Sequence, residues 1–380
     1  MLHLLYILIV AHLCFMLPGV SEETSSDIQH SELRRPQEPK RPYSYSEEEV
    51  SFTNAGAGIT LAGTLTFPKG QGPFPTVILL HGSAPLDRDS SLLSHKPFLV
   101  WADYLTRHGV AVLRFDKRSA GKSTGNYGIS TIQDFANDAI AAVEYLKTRK
   151  EINIKQIGLI GHSEGGMTAS IAAAKCNEIA FIVLMAAPAV NAEQIILLQE
   201  EAIQRADNVE ERLISQSRKF RERVFTLLKE EKNSEVADRK LGDIFEAYLD
   251  KLTPSQRKIA EAYYGPKEMQ IKFFNSTSFR YWLTYDPILA LKQLTIPVLA
   301  LNGELDLIVS PEQNLKRIAE AFKEANHKDY TVLELPKLNH AFQTCKIGTM
   351  AECASIEETA SPLALSTLTE WIVQKTTKKK

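Results

Sequence analysis

The sequence predicts an α/β protein with a mostly parallel, doubly wound sheet, an antiparallel N-terminal edge and a helical insertion. Three observations carry this. Short continuous apolar runs recur at 77–80, 110–115, 157–160, 181–185, 298–301 and 331–335, as expected of strands buried on both faces. Helical stretches at 98–107, 132–149 and 313–326 separate them, which is the alternation a helix-covered parallel sheet requires. Residues 157–174, IGLIGHSEGGMTASIAAA, then read as strand, sharp turn and small-residue helix in immediate succession.

Taken in order, residues 1–17 are apolar apart from His3 and His12, and Pro18-Gly19-Val20-Ser21 breaks the run. This reads as a secretory signal over 1–20 that lacks the usual Lys or Arg near its start. The protein is therefore expected to be exported, periplasmic or secreted. An uncleaved membrane anchor is the alternative, although the run is short for a span of about 20 residues. Residues 21–46 are polar, with Pro36, Pro39 and Pro42, and read as an extended linker or disordered arm. Alternation over 48–67 around Asn54-Ala55-Gly56-Ala57-Gly58 predicts a hairpin at the sheet edge.

Between 191 and 285 the strand signal stops, and apolar residues fall at helical spacing, as in Phe220, Val224, Leu227 and Leu228. We expect a helical cap over the carboxyl end of the sheet, dividing the core into 47–190 and 286–377. Aromatics at its end, Phe279, Trp282 and Tyr285 among them, are expected either to line an apolar substrate pocket or to fix the cap to the core.

Composition narrows the function classes. The formal net charge is −2, and the Lys378–Lys380 tail aside, no basic cluster marks a nucleic-acid surface. No segment after the leader is long and apolar enough to span a bilayer. Cysteine spacing forms no zinc pattern, so no metal is expected. Cys345 and Cys353 lie close enough in sequence to pair or to remain separate thiols, and Cys176 reads as a small buried apolar residue. Oligomeric state is not legible.

The turn at 161–165 presents Ser163 as a candidate nucleophile. A serine hydroxyl needs a base within hydrogen-bonding reach and a carboxylate to orient that base. On a strand–turn–helix serine the acid and the histidine follow in that order along the chain. Asp306 comes after the apolar run 298–301, with Glu304 as rival, and His340 comes after the run ending at 335. Acyl transfer also needs donors for an oxyanion, each supplying about 2.7 to 4 kcal/mol in the transition state. The backbone N–H groups of Glu164, at the helix start, and of Ser83, with Gly82 as alternative, are the candidates.

Five segments then resemble one superfamily: HGSAPLDRD (81–89), LRFDKRSAGKSTG (113–125), GLIGHSEGG (158–166), LNGELDLIV (301–309) and LPKLNHAFQ (335–343). The chain from about residue 47 onward resembles the α/β-hydrolase superfamily, and within it bacterial esterases similar to dienelactone hydrolases and to prolyl-oligopeptidase-like serine hydrolases. The resemblance implies cleavage of small carboxylic esters, commonly with short acyl groups, through an acyl-enzyme and without a cofactor. A peptidase or acyl thioesterase on the same residues, or a hydrolase fold reused as a binding module, are the alternatives. Two positions depart from the pattern: Ala84 stands where a second glycine is common and is expected to narrow the approach to the oxyanion turn, and Ser119 stands where D-x-R-G is usual. Asp87, Arg88 and Asp89 read as an internal salt-bridged loop rather than substrate contacts, and Asp116 and Arg118 as scaffold.

Overall fold

In the computed structural model, which describes residues 34–377, the sheet starts with the hairpin β1 (Ser46–Asn54) and β2 (Ile59–Phe67). Its turn closes because the Asn54 side chain accepts from the Ala57 N–H at 3.2 Å and Gly58 takes φ +64°. β2 runs antiparallel to β4 (Ala111–Phe115), and every later pairing is parallel. With β3 (Phe74–Leu80), β5 (Ile152–His162), β6 (Ile179–Met185), β7 (Val298–Gly303) and β8 (Tyr330–Leu335), the strand order is β1-β2-β4-β3-β5-β6-β7-β8.

Both faces of the parallel part of this sheet are covered, which is why inner strands such as β3 and β6 carry no polar alternation. Ile78 and Leu80 join one apolar cluster with α2 (Ile132–Lys147), α3 (Glu164–Lys175) and α11 (Pro311–Glu324). Val77 and Leu79 join the other, with α1 (Pro97–Arg107) and α12 (Pro362–Thr376). The chain leaves β3 for β4 on one side and returns to β5 on the other. A crevice therefore opens beyond the carboxyl ends of β3 and β5, the place where such sheets take ligands. Both the turn after β3 and Ser163 stand there.

Between β6 and β7 the chain forms α4 (Ala192–Ala206), α5 (Glu211–Glu230), α6 (Ser234–Leu249), α7 (Pro254–Tyr264), α8 (Lys267–Phe274) and α9 (Thr277–Thr284), followed by the short α10 (Ile288–Leu291). Of these, α4, α5, α6, α8 and α9 share an apolar cluster of their own, with Phe220, Phe225, Phe245, Phe274 and Phe279 buried in it, while α10 packs into the sheet-side core. At roughly 1.5–3 kcal/mol per fully buried side chain, that cluster makes the segment a packed unit.

The leader expected over 1–20 and the first part of the arm lie outside the described residues. From residue 35 on, the arm differs from the disordered linker that its composition suggests. Arg35 donates to the carbonyls of Leu93 (3.1 Å), Ser94 (3.2 Å) and Ile356 (2.6 Å). Gln37 exchanges hydrogen bonds with the backbone of Ala360, and Glu38 pairs with Lys96. Polar side chains hold this stretch by long-range bonds to backbone carbonyls, which leave no periodicity in the sequence. No helix among the described residues is long and apolar enough to cross a membrane.

Candidate active site

The turn after β5 is built so tightly that two of its positions admit no side chain. A Cβ at Gly161 would sit 2.1 Å from the Gly165 carbonyl oxygen, and one at Gly165 would sit 2.2 Å from that of Leu80. Ser163, between them, is held at φ +55°, ψ −122°. Its N–H donates to the Met185 carbonyl at 2.8 Å and its own carbonyl accepts from Gly166 N–H at 2.8 Å. A non-glycine residue in that region costs on the order of 1–3 kcal/mol, and its neighbours hold it there. The hydroxyl is thereby presented to a cavity of about 270 Å³.

His340, on the loop after β8, lines the same cavity, and Asp306, on the loop after β7, stands behind its ring. Asp306 Oδ2 accepts from His340 Nδ1 at 2.8 Å, while Oδ1 accepts from the N–H groups of Ile308 and Val309, both at 2.8 Å. The carboxylate is fully buried. Its rival Glu304 turns elsewhere and accepts from the Lys337 N–H at 2.8 Å. With Nδ1–H committed to Asp306, His340 keeps Nε2 as the basic nitrogen, and both His340 and Ser163 line the cavity.

Two further histidines, His162 and His81, frame this arrangement. His162 Nε2–H donates to the His340 carbonyl at 2.8 Å, and the two rings lie 4.8 Å apart, so the nucleophile turn is tied to the imidazole loop. Burial, with the neighbouring His340 second, brings His162 down to about 4. His81 stacks on Phe98 at 4.6 Å and donates from Nε2 to the Phe115 carbonyl at 2.8 Å, and burial brings it to about 4 as well. Unfolded, each would titrate near the ordinary value of about 6.5. As pH falls from 6.5 to 4 the unfolded chain binds protons that the folded chain refuses, so stability is lost over that window, by roughly 3 kcal/mol for His81 at its lower end. Chemical denaturation midpoints should fall steadily between pH 6.5 and 4. A His81→Gln variant, whose amide can still donate to Phe115, should show a clearly shallower fall.

The turn after β3 packs directly on the nucleophile: a Cβ on Gly82 would stand 3.3 Å from Ser163 Cβ. Ser83 and Glu164 both line the cavity, and Glu164 is the first residue of α3. Its N–H is therefore one of those that a helix leaves without an internal partner. Lys117, which lies inside the 113–125 motif where nothing in the sequence marks it out, bonds to both segments through the Gly82 carbonyl and the Glu164 carboxylate.

The two departures from the family pattern share a cause. Ala84 stands at φ +98° and Ser119 at φ +66°, positions where glycine is free of a Cβ penalty of about 1–2 kcal/mol. Ala84 is buried and does not line the cavity, so the expected narrowing is absent and its effect is on the backbone. Its N–H donates to Tyr127 Oη at 2.8 Å, and Ser119 Oγ accepts from the Tyr127 N–H at 3.0 Å. Arg88 pairs with Asp116 at 2.9 Å, Asp89 with Arg114 at 2.8 Å and Arg118 with Asp138 at 2.6 Å, which leaves the 87–89 loop engaged within the protein.

Of the aromatic candidates, Phe279 and Trp282 border the cavity, together with Trp101, Ile195 and Phe273. Phe279 is also a core residue of its helices, only 2% exposed. Tyr285 does not line the cavity. It lies beyond the end of α9, stacks on Tyr281 at 5.9 Å and packs on the sheet-side core, where burial pushes its phenol upward. Cys345 and Cys353 are separate buried thiols, and Cys353 Sγ–H donates to Gln343 Oε1 at 2.8 Å. Among the described residues no group of three or more His, Cys, Asp or Glu is placed to hold a metal ion.

Residues 75–343 match the sequence model of a family described as alpha/beta hydrolase fold. Over 175 residues, 45% of this chain and 40% of the relative, the sequence is 33% identical to Esterase EstD of Thermotoga maritima. The chain thus spans about two fifths of the length of the curated relatives it matches. Among solved structures, hypothetical protein PA2218 of Pseudomonas aeruginosa superposes with a TM-score of 0.53 at 16% identity, covering 95% of this chain and 99% of that one. Dipeptidyl peptidase 4 of Porphyromonas gingivalis superposes with a TM-score of 0.51 at 13% identity, covering 87% of this chain and 36% of that one. At these identities the two structures share the fold alone.

Proposed function

The chain belongs to the alpha/beta hydrolase family, and from that premise we propose that it is a serine hydrolase of the carboxylesterase type. The observation that carries the reading is a buried carboxylate 2.8 Å from an imidazole that opens onto the same cavity as a serine held at φ +55°. Ser163 Oγ attacks the ester carbonyl while His340 Nε2 takes its proton. Asp306 keeps the imidazole in the receptive tautomer and stabilises the imidazolium. The carbonyl oxygen becomes an oxyanion held by the N–H groups of Ser83 and Glu164, where the α3 dipole also favours negative charge. Collapse expels the alcohol, protonated by His340. Water, deprotonated by the same nitrogen, then hydrolyses the acyl-enzyme and returns Ser163.

The helices between β6 and β7 serve as a cap, since Ile195, Phe273, Phe279 and Trp282 wall the cavity above Ser163. Apolar walls suit an uncharged ester, and the family resemblance favours a short acyl group. Export through the N-terminal leader is part of the same reading. A p-nitrophenyl butyrate assay beside an alanyl p-nitroanilide assay tests it. Ester turnover is expected to exceed anilide turnover by at least about 100-fold, with a fluorophosphonate probe labelling one site per chain and abolishing both. Equal or faster anilide cleavage would make the protein a peptidase.

A further inference from the structure

Lys117 follows β4 and carries its ammonium into the interior between the turn after β3 and the start of α3. Its side chain is 7% exposed. Nζ donates to the Gly82 carbonyl at 2.9 Å and to Glu164 Oε1 at 2.6 Å, and it lies 4.1 Å from the Phe135 ring centre and 4.9 Å from that of Tyr127. Burying such a pair costs several kcal/mol per ion, and apolar residues of the same volume often serve stability as well or better. A role beyond stability follows from what the two partners are. The Gly82 carbonyl belongs to the same trans peptide unit as the Ser83 N–H, so a donor on that oxygen sets the tilt of the plane and leaves the N–H directed to the opposite side. The second partner is the side chain of the residue whose own amide opens α3. Glu164 also accepts from Ser83 Oγ at 3.4 Å through its other oxygen.

We propose that Lys117 is a positioning residue that locks the two oxyanion donors, the amides of Ser83 and Glu164, in one fixed relation. Its charge draws electron density from the Gly82–Ser83 peptide and makes that N–H a stronger donor, while the Glu164 carboxylate keeps the assembly neutral overall. The aromatic rings of Phe135 and Tyr127 keep water from replacing the ammonium. Transition-state stabilisation then depends on a side chain that touches neither substrate nor nucleophile.

This inference rests on the esterase reading, and the experiment separates the two. Lys117→Met retains most of the side-chain volume and removes all three donors. It is expected to lower kcat on p-nitrophenyl butyrate about 100-fold, comparable to losing one oxyanion donor, with KM within about threefold. The Ki of an aryl trifluoromethyl ketone, which places an oxyanion in the same site, should rise by a similar factor. The double variant Lys117→Met, Glu164→Gln removes the unpaired buried charge while still leaving Gly82 without its donor. It is expected to fold and to remain at least about 30-fold impaired in kcat. Recovery of the double variant to within threefold of the parent would reduce the pair to mutual charge neutralisation and overturn the proposal. A kcat loss under threefold in Lys117→Met, a loss carried by KM, or a double variant that does not fold would overturn it as well. If Ser163→Ala kept turnover, the esterase reading itself would fall, independently of Lys117.

Discussion

Ser163→Ala is expected to lower kcat on a short aryl ester by about 10⁴–10⁶-fold and to abolish fluorophosphonate labelling, with the fold intact. What survives should be the modest rate supplied by binding and by the oxyanion donors alone. The magnitude follows from the loss of the attacking atom, and the structural neutrality follows from the site. Ser163 Oγ faces the cavity, and the bonds that hold the turn run through its backbone to Met185 and Gly166. Alanine inherits the same φ of +55° and therefore the same backbone cost. Ser163→Gly, equally inactive, removes the Cβ responsible for that cost, on the order of 1–3 kcal/mol, against about 0.5–1 kcal/mol of added chain entropy in the unfolded state. The glycine variant should therefore melt at or above the alanine variant. That order would identify the turn as a place where stability is sacrificed to present a hydroxyl. A Ser163→Ala protein retaining more than a tenth of parental kcat would remove Ser163 from the reaction.

How much of this was legible beforehand depends on the range of the interaction involved. The parallel sheet could be read because burial on both faces writes itself into runs of consecutive residues, such as 77–80 and 181–185. The turn at Ser163 could be read because Gly161 and Gly165 are forced by contacts within one strand–turn–helix unit and its neighbour. Asp306 and His340 were reachable as candidates from chain order, and they do meet, at 2.8 Å. What escaped depends on docking. Tyr285 and Trp282 are three residues apart, and only the way α9 lies on its neighbours decides that Trp282 borders the cavity while Tyr285 goes to the core. Arg35 reaches Ile356, 321 residues away, and a polar, proline-rich stretch gives no sign of that. Lys117 and Glu164 are 47 residues apart, and only the fold brings their charges together. Ala84 and Ser119 read as departures, and only the backbone angles show that they occupy glycine-like positions.

Asp306→Asn should reduce kcat about 10⁴-fold while leaving thermal stability nearly unchanged, and the hydrogen bonds around the carboxylate give the reason. Oδ1 accepts two backbone N–H groups, from Ile308 and Val309, and Oδ2 accepts the proton on His340 Nδ1. An asparagine side chain must place its carbonyl oxygen where the two amides converge, because the reverse orientation would set an NH₂ against two N–H donors in a fully buried site. The NH₂ then faces His340 Nδ1. A donor there requires Nδ1 to be the acceptor, which shifts the imidazole proton to Nε2, the nitrogen that must stay bare to take the proton of Ser163 Oγ. Geometry, volume and hydrogen-bond count are all preserved, and only the tautomer is reversed. The diagnostic is thus a large fall in kcat without a matching change in melting temperature, and with ¹⁵N resonances of His340 showing the proton moved from Nδ1 to Nε2. If the asparagine protein kept more than about a tenth of the parental kcat, His340 would not be acting as the base oriented by Asp306, and the chemistry at Ser163 would have to draw its proton acceptor from elsewhere in the cavity.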